Sequence, residues 1–434
     1  MNPTSLRQAA EQARQHSSLD WLDDVRRRAV ERFLSDGFPT TAEEDWRYTD
    51  LRPAAELTER LFRHSNAMAN SLQQEMPGSM VEGLGGPKAV FMDGAFRADL
   101  SSLAPRGGLT LAPLGQVAPE LRATAADRIS RAAAHSKGLT ALNAALIRDG
   151  LFVEVADGTI LNEPIYIVLA NSAQSATYNR VIVTLGRHSR ATVIEHHISA
   201  GESVSNSVTE VACDVGSGLT YVKLQAETVS ALHLASQSIS VARDAQVDIL
   251  HLDIGSKLAR NDLRVDLVGE GSGVTSHGLF YADGSRHLDN HTRIDHQAAH
   301  TRSREQYRGI ADENGRGIFN GKIIVHSGAI KSDAELSNRN LLLSRTAEID
   351  TKPELEIYAD DVQCSHGATT GQLDPNAIFY LRSRGIATDQ AQRLLMASFV
   401  GEIVKRVPAG PLNSHLVTLL HDRLPDLGKL VEHE

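Results

Sequence analysis

The sequence predicts a mainly β chain: a long parallel β-helix core flanked by an N-terminal helical region and a C-terminal helical domain. Three observations carry the prediction. Short β-branched runs alternate with Gly, Asp, Asn and Ser from about Ala89 to Gln372. No proline stands between Pro164 and Pro353, where the chain's 14 in 434 residues would put about six. At both ends the apolar residues recur at helical spacing instead.

Residues 1–65 read as helical. Trp21, Val25, Ala29 and Phe33 recur every four residues and line one face, with Ser18 as the expected N-cap and Gly37 and Pro39 as the stop. Residues 66–87 hold Asn, Ser, Gly and two prolines without a period, and read as a linker. Together residues 1–87 form the expected N-terminal region.

Residues 88–373 read as the strand-rich core. LFVEVADG from Leu151, RVIVTLG from Arg180, ATVIEHHI from Ala191, QVDILHLDIG from Gln246 and GKIIVHSGAI from Gly321 each look like a strand followed by a turn. Proline cannot donate to a strand ladder, so its absence implies that nearly every backbone donor is paired. Aromatics make up only 5%, so the expected core is mostly Val, Ile and Leu. Stacked coils satisfy both conditions, because like aliphatic residues pile up along the axis. No sharp repeat is readable, so period alone leaves a sandwich or barrel open. A span of ~280 residues, however, far exceeds the ~100 of one sandwich.

Residues 374–434 turn helical again after Asp374-Pro375. Thr388 is the expected N-cap of a helix whose stripe is Leu395, Phe399 and Ile403, widened by Met396, Val400 and Val404 and ended by Pro408 and Gly410. A second run carries Leu416, Val417, Leu420 and Leu424 and stops at Pro425, giving a two-helix module. Its apolar face serves its own core or a partner groove, and the pattern favours core.

Composition narrows the function classes. A net charge of −10 disfavours broad nucleic-acid binding and docking on anionic lipid. No run reaches the ~18 apolar residues of a membrane span. The polar start, MNPTSLRQAAEQARQH, lacks the apolar stretch of a signal peptide. Cys213 and Cys364 form no paired motif, so the expected compartment is the reducing cytoplasm.

No motif marks an enzyme. In GIFNGKII a phosphate loop would need glycine where Arg316 stands and Ser or Thr where Ile323 follows Lys322. No metalloprotease helix and no nucleophile elbow is present. Among the 18 histidines, His287, His291, His296 and His300 fall in a strand-and-turn region and His196 adjoins His197. These read mainly as surface or turn residues, with Asp289 and His291 the better pair because they share a strand face. The segment ADDVQCSHGATTGQLD is the most chemically loaded, with Asp360, Asp361, Cys364 and His366 within seven residues. On a strand, Cys364 and His366 project the same way, and thiolate with imidazole suits a soft or borderline metal. A buried Cys beside a turn His is the plainer alternative. Iron–sulfur clusters need four ligands, mostly Cys, which two cysteines cannot supply, so any cluster must be shared or transient.

Three long segments carry a family resemblance: Phe38 to Leu51 (FPTTAEEDWRYTDL), Arg308 to Ser344, and Glu354 to Ile386 (ELEIYADDVQCSHGATTGQLDPNAIFYLRSRGI). They resemble the SufB/SufD family of iron–sulfur cluster assembly scaffolds, on its SufD branch, and their order and spacing cover essentially the whole chain. The resemblance implies a right-handed parallel β-helix and a non-catalytic subunit. It implies pairing with SufB through the β-helix ends and with SufC, an ABC-type ATPase, through the C-terminal domain. ATP-driven SufC dimerisation would shift the SufB–SufD interface and open a site for the nascent cluster. His366 matches the family's interface histidine and Cys364 its neighbouring cysteine, which makes iron or a transient cluster the expected cargo, with no cofactor held stably by the chain alone. Phe379, Tyr380, Leu381, Arg382, Arg384 and Gly385 match the segment that enters the ATPase contact, and Leu395 and Phe399 extend that surface. A flavin in the assembled complex and a homodimer of the lone chain are left open. The rival readings are a β-helix enzyme acting on polysaccharide, which calls for an aromatic-lined groove, and a stand-alone metal-binding protein, which calls for tightly held metal in the isolated chain.

Overall fold

The computed structural model describes residues 3–15, 17–65, 80–104, 106–135, 138–408 and 410–421. The chain opens with α1 (Pro3–Gln15), α2 (Asp23–Asp36) and α3 (Arg52–Ser65), then β1 (Lys88–Met92), β2 (Ala95–Phe96) and β3 (Leu109–Pro113), then α4 (Pro119–His135) and α5 (Leu139–Leu146). The solenoid follows as β4 (Gly150–Val155), β5 (Ile165–Asn171), β6 (Ser175–Leu185), β7 (Arg190–Ser199), β8 (Ser203–Cys213), β9 (Gly218–Gln225), β10 (Leu232–Val241) and β11 (Gln246–Asp253). It continues as β12 (Leu258–Leu267), β13 (Gly273–Ala282), β14 (His287–His296), β15 (Arg302–Ala311), β16 (Arg316–Val325), β17 (Asp333–Leu342), β18 (Glu348–Ile357) and β19 (Gln363–Gly371). The described chain closes with α6 (Pro375–Ser383), α7 (Thr388–Val404) and α8 (Pro411–His421).

From β4 onward the chain alternates between two sheets, odd strands in one and even strands in the other, each pairing in parallel with the strand one turn away. About 8 turns result. The parallel β-helix is therefore as the sequence predicts. One interior column, Val193, Tyr221, Ile249, Ser276, Glu305, Leu336 and His366, runs through seven turns. Its members lie 28, 28, 27, 29, 31 and 30 residues apart, which is why no sharp repeat is legible.

The apolar part of the interior is mostly Val, Ile and Leu, as predicted. A second part is polar, which the expectation of a Val, Ile and Leu core did not include. In β7 the inward residues are Ala191 and Val193 and then Glu195 and His197; in β9 they are Leu219 and Tyr221 and then Lys223 and Gln225. Opposite them, Ser205, Ser207 and Thr209 precede Val211 and Cys213 in β8. Buried polar groups need partners, and several find one another. Glu195 accepts from Thr209 Oγ1 at 2.7 Å and from the Tyr221 hydroxyl at 3.0 Å, with His197 Nε2 at 2.7 Å. Lys223 Nζ donates to Asn261 at 2.6 Å and to Asp253 at 3.3 Å.

Several local expectations are corrected. Helices α4 and α5 lie inside the span read as strands. With α1 and α2 they form a cluster over the first turns that includes Leu6, Val25, Phe33, Ile129, Leu142 and Phe152. Ser18 caps nothing: α2 starts after a 3-10 turn at Asp20–Leu22 with no side-chain cap, although Gly37 (φ 70°) does end it. Residues 66–79 of the expected linker lie outside the described residues. Residues 80–87 are anchored at Val81, which is buried and whose N–H donates to the Tyr166 hydroxyl at 2.9 Å, while Glu82, Gly83 and Gly85 are exposed. Thr388 is the first residue of α7, not its cap, and α6 makes the described C-terminal module three helices. Leu424 and Pro425 lie outside the described residues.

The C-terminal stripe is mainly core. Val400, Ile403, Val404, Leu416 and Leu420 bury against the outer face of the odd-stranded sheet, on Ile194, Val222, Leu250 and Leu279. No helix among the described residues is long and apolar enough to cross a membrane.

Candidate functional site

Among the described residues the solenoid ends without a cap. Strands β18 and β19 have a neighbour on one side only, β16 and β17. Every interior side chain in the last turn therefore has a packed turn beneath it and open space above. Cys364 and His366 sit on β19 in register with Ala334 and Leu336, both buried. The shared direction predicted for the pair holds: both face the solenoid axis. Cys364 is half-buried against the interior cluster, while His366 is exposed. An imidazole in the interior column is thus offered to solvent only because the column stops there.

The thiol and the aspartates behave differently from His366. Burial, with the carboxylate of Asp333 added, pushes the Cys364 thiol above its ordinary pKa, so it rests as a thiol. Asp361 sits in the corner before β19 at φ 57° and pairs with Lys331. Among the described residues no three His, Cys, Asp or Glu side chains converge as a metal site. The loaded segment therefore presents one free imidazole rather than a closed ligand set.

Several other described histidines are structural. His196, His197 and His296 are fully buried, correcting their reading as surface or turn groups; His233 and His251 are buried too, and His300 is exposed as expected. Burial holds His196 at a pKa of about 3 and His251 and His296 at about 4, so these rings are neutral near pH 7. The pair Asp289 and His291 is close, at 3.1 Å, but works as a clasp. Asp289 is fully buried and takes Arg260 Nη1 at 2.7 Å and the Thr49 hydroxyl. Arg260 lies 4.1 Å from the Trp46 ring and donates to the Asp45 carbonyl at 2.9 Å. The segment after α2 is thereby fastened across the even-stranded sheet.

At the other candidate surface, Asp374 accepts from the Asn376 N–H at 2.9 Å, and Pro375 pre-sets the first turn of α6. Gly385 (φ 87°) turns the chain into α7. Phe379 and Tyr380 on α6 are 71% and 54% exposed, which is unusual for large apolar rings. The Arg384 guanidinium lies 4.3 Å from the Tyr380 ring. Arg382, Arg384 and Gly385 are exposed and Leu381 is half-buried. Leu395 and Phe399 are half-buried, and Phe399 lies under Arg308, which also pairs with Glu402. The structure therefore gathers the α6 residues on an open surface, whereas Phe399 belongs largely to the α7–sheet joint.

A helical entry region, a parallel β-solenoid and a C-terminal helical module are the architecture of the SufBD class of FeS cluster assembly proteins. Residues 4–167 match the SufBD protein N-terminal region and residues 168–399 the SufBD core domain of the SUF system for FeS cluster assembly. The chain belongs to this family. It is similar to the iron–sulfur cluster assembly protein SufD of Escherichia coli K12, 28% identical over 91% of this chain and 92% of that protein. It is also similar to an iron–sulfur cluster assembly SufBD family protein of Synechocystis, 27% identical over 87% of this chain and 86% of that one. SufD of Bacillus subtilis is 27% identical over 66% of this chain and 67% of its own length.

Proposed function

We propose that this chain is a non-catalytic scaffold subunit of a SUF assembly complex. It pairs end to end with a SufB-type chain and carries a SufC-type ATPase on its C-terminal helices. One observation carries the reading: His366 is exposed on the last turn and, among the described residues, has neither a cap over it nor a third ligand nearby, so on this reading another polypeptide completes whatever it binds. Iron or a nascent cluster is cargo here. The imidazole supplies one borderline donor, and the partner supplies the rest.

The ATPase cycle would act through α6, whose aromatics α6 itself leaves bare, and through α7, which is joined to the sheet by Arg308 and Glu402. A switch of this kind needs contacts that differ between two states, and the nucleotide-dependent partner provides them.

The test is His366→Ala in the co-purified three-subunit complex, with iron content and cluster yield as readouts. Loss of both with the complex intact supports the ligand role. Wild-type iron loading would refute it.

A further inference from the structure

The segment FPTTAEEDWRYTDL, Phe38 to Leu51, has no part in the proposed function so far. Within it, Glu44–Trp46 form a single 3-10 turn between α2 and α3, and the Thr49 N–H donates to the Trp46 carbonyl at 3.0 Å. The base of this turn is buried: Trp46 and Thr49 are 8% and 0% exposed. Trp46, Leu51 and Leu57 form one cluster with Val204, Leu234 and Leu258 of β8, β10 and β12. Below Trp46 and Thr49 lie Arg260 and Asp289, and Thr49 Oγ1 stands 2.8 Å from His287 Nε2. The turn is a fixed base on the middle of the even-stranded sheet.

Two arms reach from that base toward the end of the stack. The Tyr48 ring lies 6.0 Å from the Arg316 guanidinium of β16. Glu44 accepts from Lys352 Nζ of β18 at 2.7 Å, which joins positions 308 residues apart. The turn therefore touches β12, β14, β16 and β18, successive strands that span about 14 Å of the axis. Arg316 carries a second tie into β18, with Asp350 at 2.8 Å and Glu348 at 3.3 Å. Lys352 is also held by Glu354 at 2.9 Å, and hydrogen bonds to Glu44 and Glu354 raise its pKa above the ordinary lysine value. The last even strand is thus tied both to the strand before it and to the N-terminal region.

We propose that the turn Glu44–Thr49 is a positioning element, which staples the terminal turn of the solenoid, and with it His366, to the turns before it through the Glu44–Lys352 pair. The purpose of the staple rests on the reading of His366 under the proposed function; the staple itself does not. Exposed ion pairs are individually weak. A terminal repeat, however, is flanked on one side only, so a weak tie is a large share of what holds it. Losing one such pair changes local opening about two- to fivefold.

The test is hydrogen exchange resolved to single amides on the whole chain alone. The Glu348 N–H donates to Gly315 and the Tyr358 N–H to Val325, so the amides of Asp350, Lys352 and Glu354 pair with β16 and report opening of the last turn. In Glu44→Lys these amides should exchange about two- to fivefold faster, while those of β12 and β14 stay as in the wild type. Lys352→Glu should act likewise, and the swapped pair, Glu44→Lys with Lys352→Glu, should return the rates to near the wild-type values. Wild-type exchange of β18 in Glu44→Lys, additive effects in the swapped pair, or acceleration spread evenly over all strands would overturn the staple. Iron loading of the three-subunit complex reads the purpose separately: it should fall in Glu44→Lys and recover in the swapped pair. Unchanged loading beside faster exchange would overturn the positioning of His366. Wild-type loading in His366→Ala would strike the proposed function instead.

Discussion

Replacing Glu305 with glutamine should make the protein more stable, and only above a defined pH. Glu305 is fully buried in the interior column between Ser276 and Leu336, and among the described residues neither carboxylate oxygen has a partner in good hydrogen-bond geometry. Burial, against a smaller pull from Thr292, raises its pKa from 4.5 to about 7. Between those two values the folded chain holds the proton and the unfolded chain has lost it. Unfolding then releases a proton, so stability falls as pH rises through this window, and the loss is complete above about 7. A gap of about 2.5 pH units corresponds to about 3 kcal/mol. Glu305→Gln keeps the volume and has no proton to lose. Urea unfolding of both forms at pH 4.5, 6 and 8 reads the difference between them, in which the titrations of the buried histidines cancel. The two curves should nearly meet at pH 4.5 and separate by about 3 kcal/mol, in favour of the variant, at pH 8. Parallel curves across the range would refute the reasoning.

Two further outcomes concern the attached helical regions. Arg260→Met strands Asp289 inside the clasp without its guanidinium and should cost about 3–5 kcal/mol; limited proteolysis should then cut first between Gly37 and Leu51, and unchanged melting and cleavage would count against the clasp. Phe379→Glu combined with Tyr380→Glu should abolish capture of the SufC-type ATPase while leaving the melting temperature of the lone chain within about a degree, since both rings are exposed. Deleting residues 375–434 is a poorer test, because it would also strip Val400, Val404, Leu416 and Leu420 from the sheet they cover.

The solenoid was legible because its physics is local. A strand ladder excludes proline, and the run from Pro164 to Pro353 reports that directly. What stayed hidden depends on the third dimension. Glu195, His197 and Lys223 look like the solvent face of strands, yet they are buried because two sheets close on each other, and only the opposite sheet supplies Thr209 and Asn261 as partners. Helix α4 is not legible in RATAADRISRAAAH because the segment lacks a large apolar stripe; Ala125 and Ile129 are enough to seat it. His366 and Cys364 were correctly placed on one face by strand alternation alone. That this face is the floor of an open end, which exposes His366 while Cys364 stays half covered, follows from where the stack stops.

The termination of the stack has a thermodynamic consequence. In a quasi-one-dimensional protein each repeat is stabilised mainly by its two flanking repeats. The repeat formed by β18 and β19 has one flank, so in the lone chain it opens most readily, carrying His366 with it. On the proposed function, a docked partner would supply the missing flank, and firming of the platform and completion of the ligand shell would then be a single event.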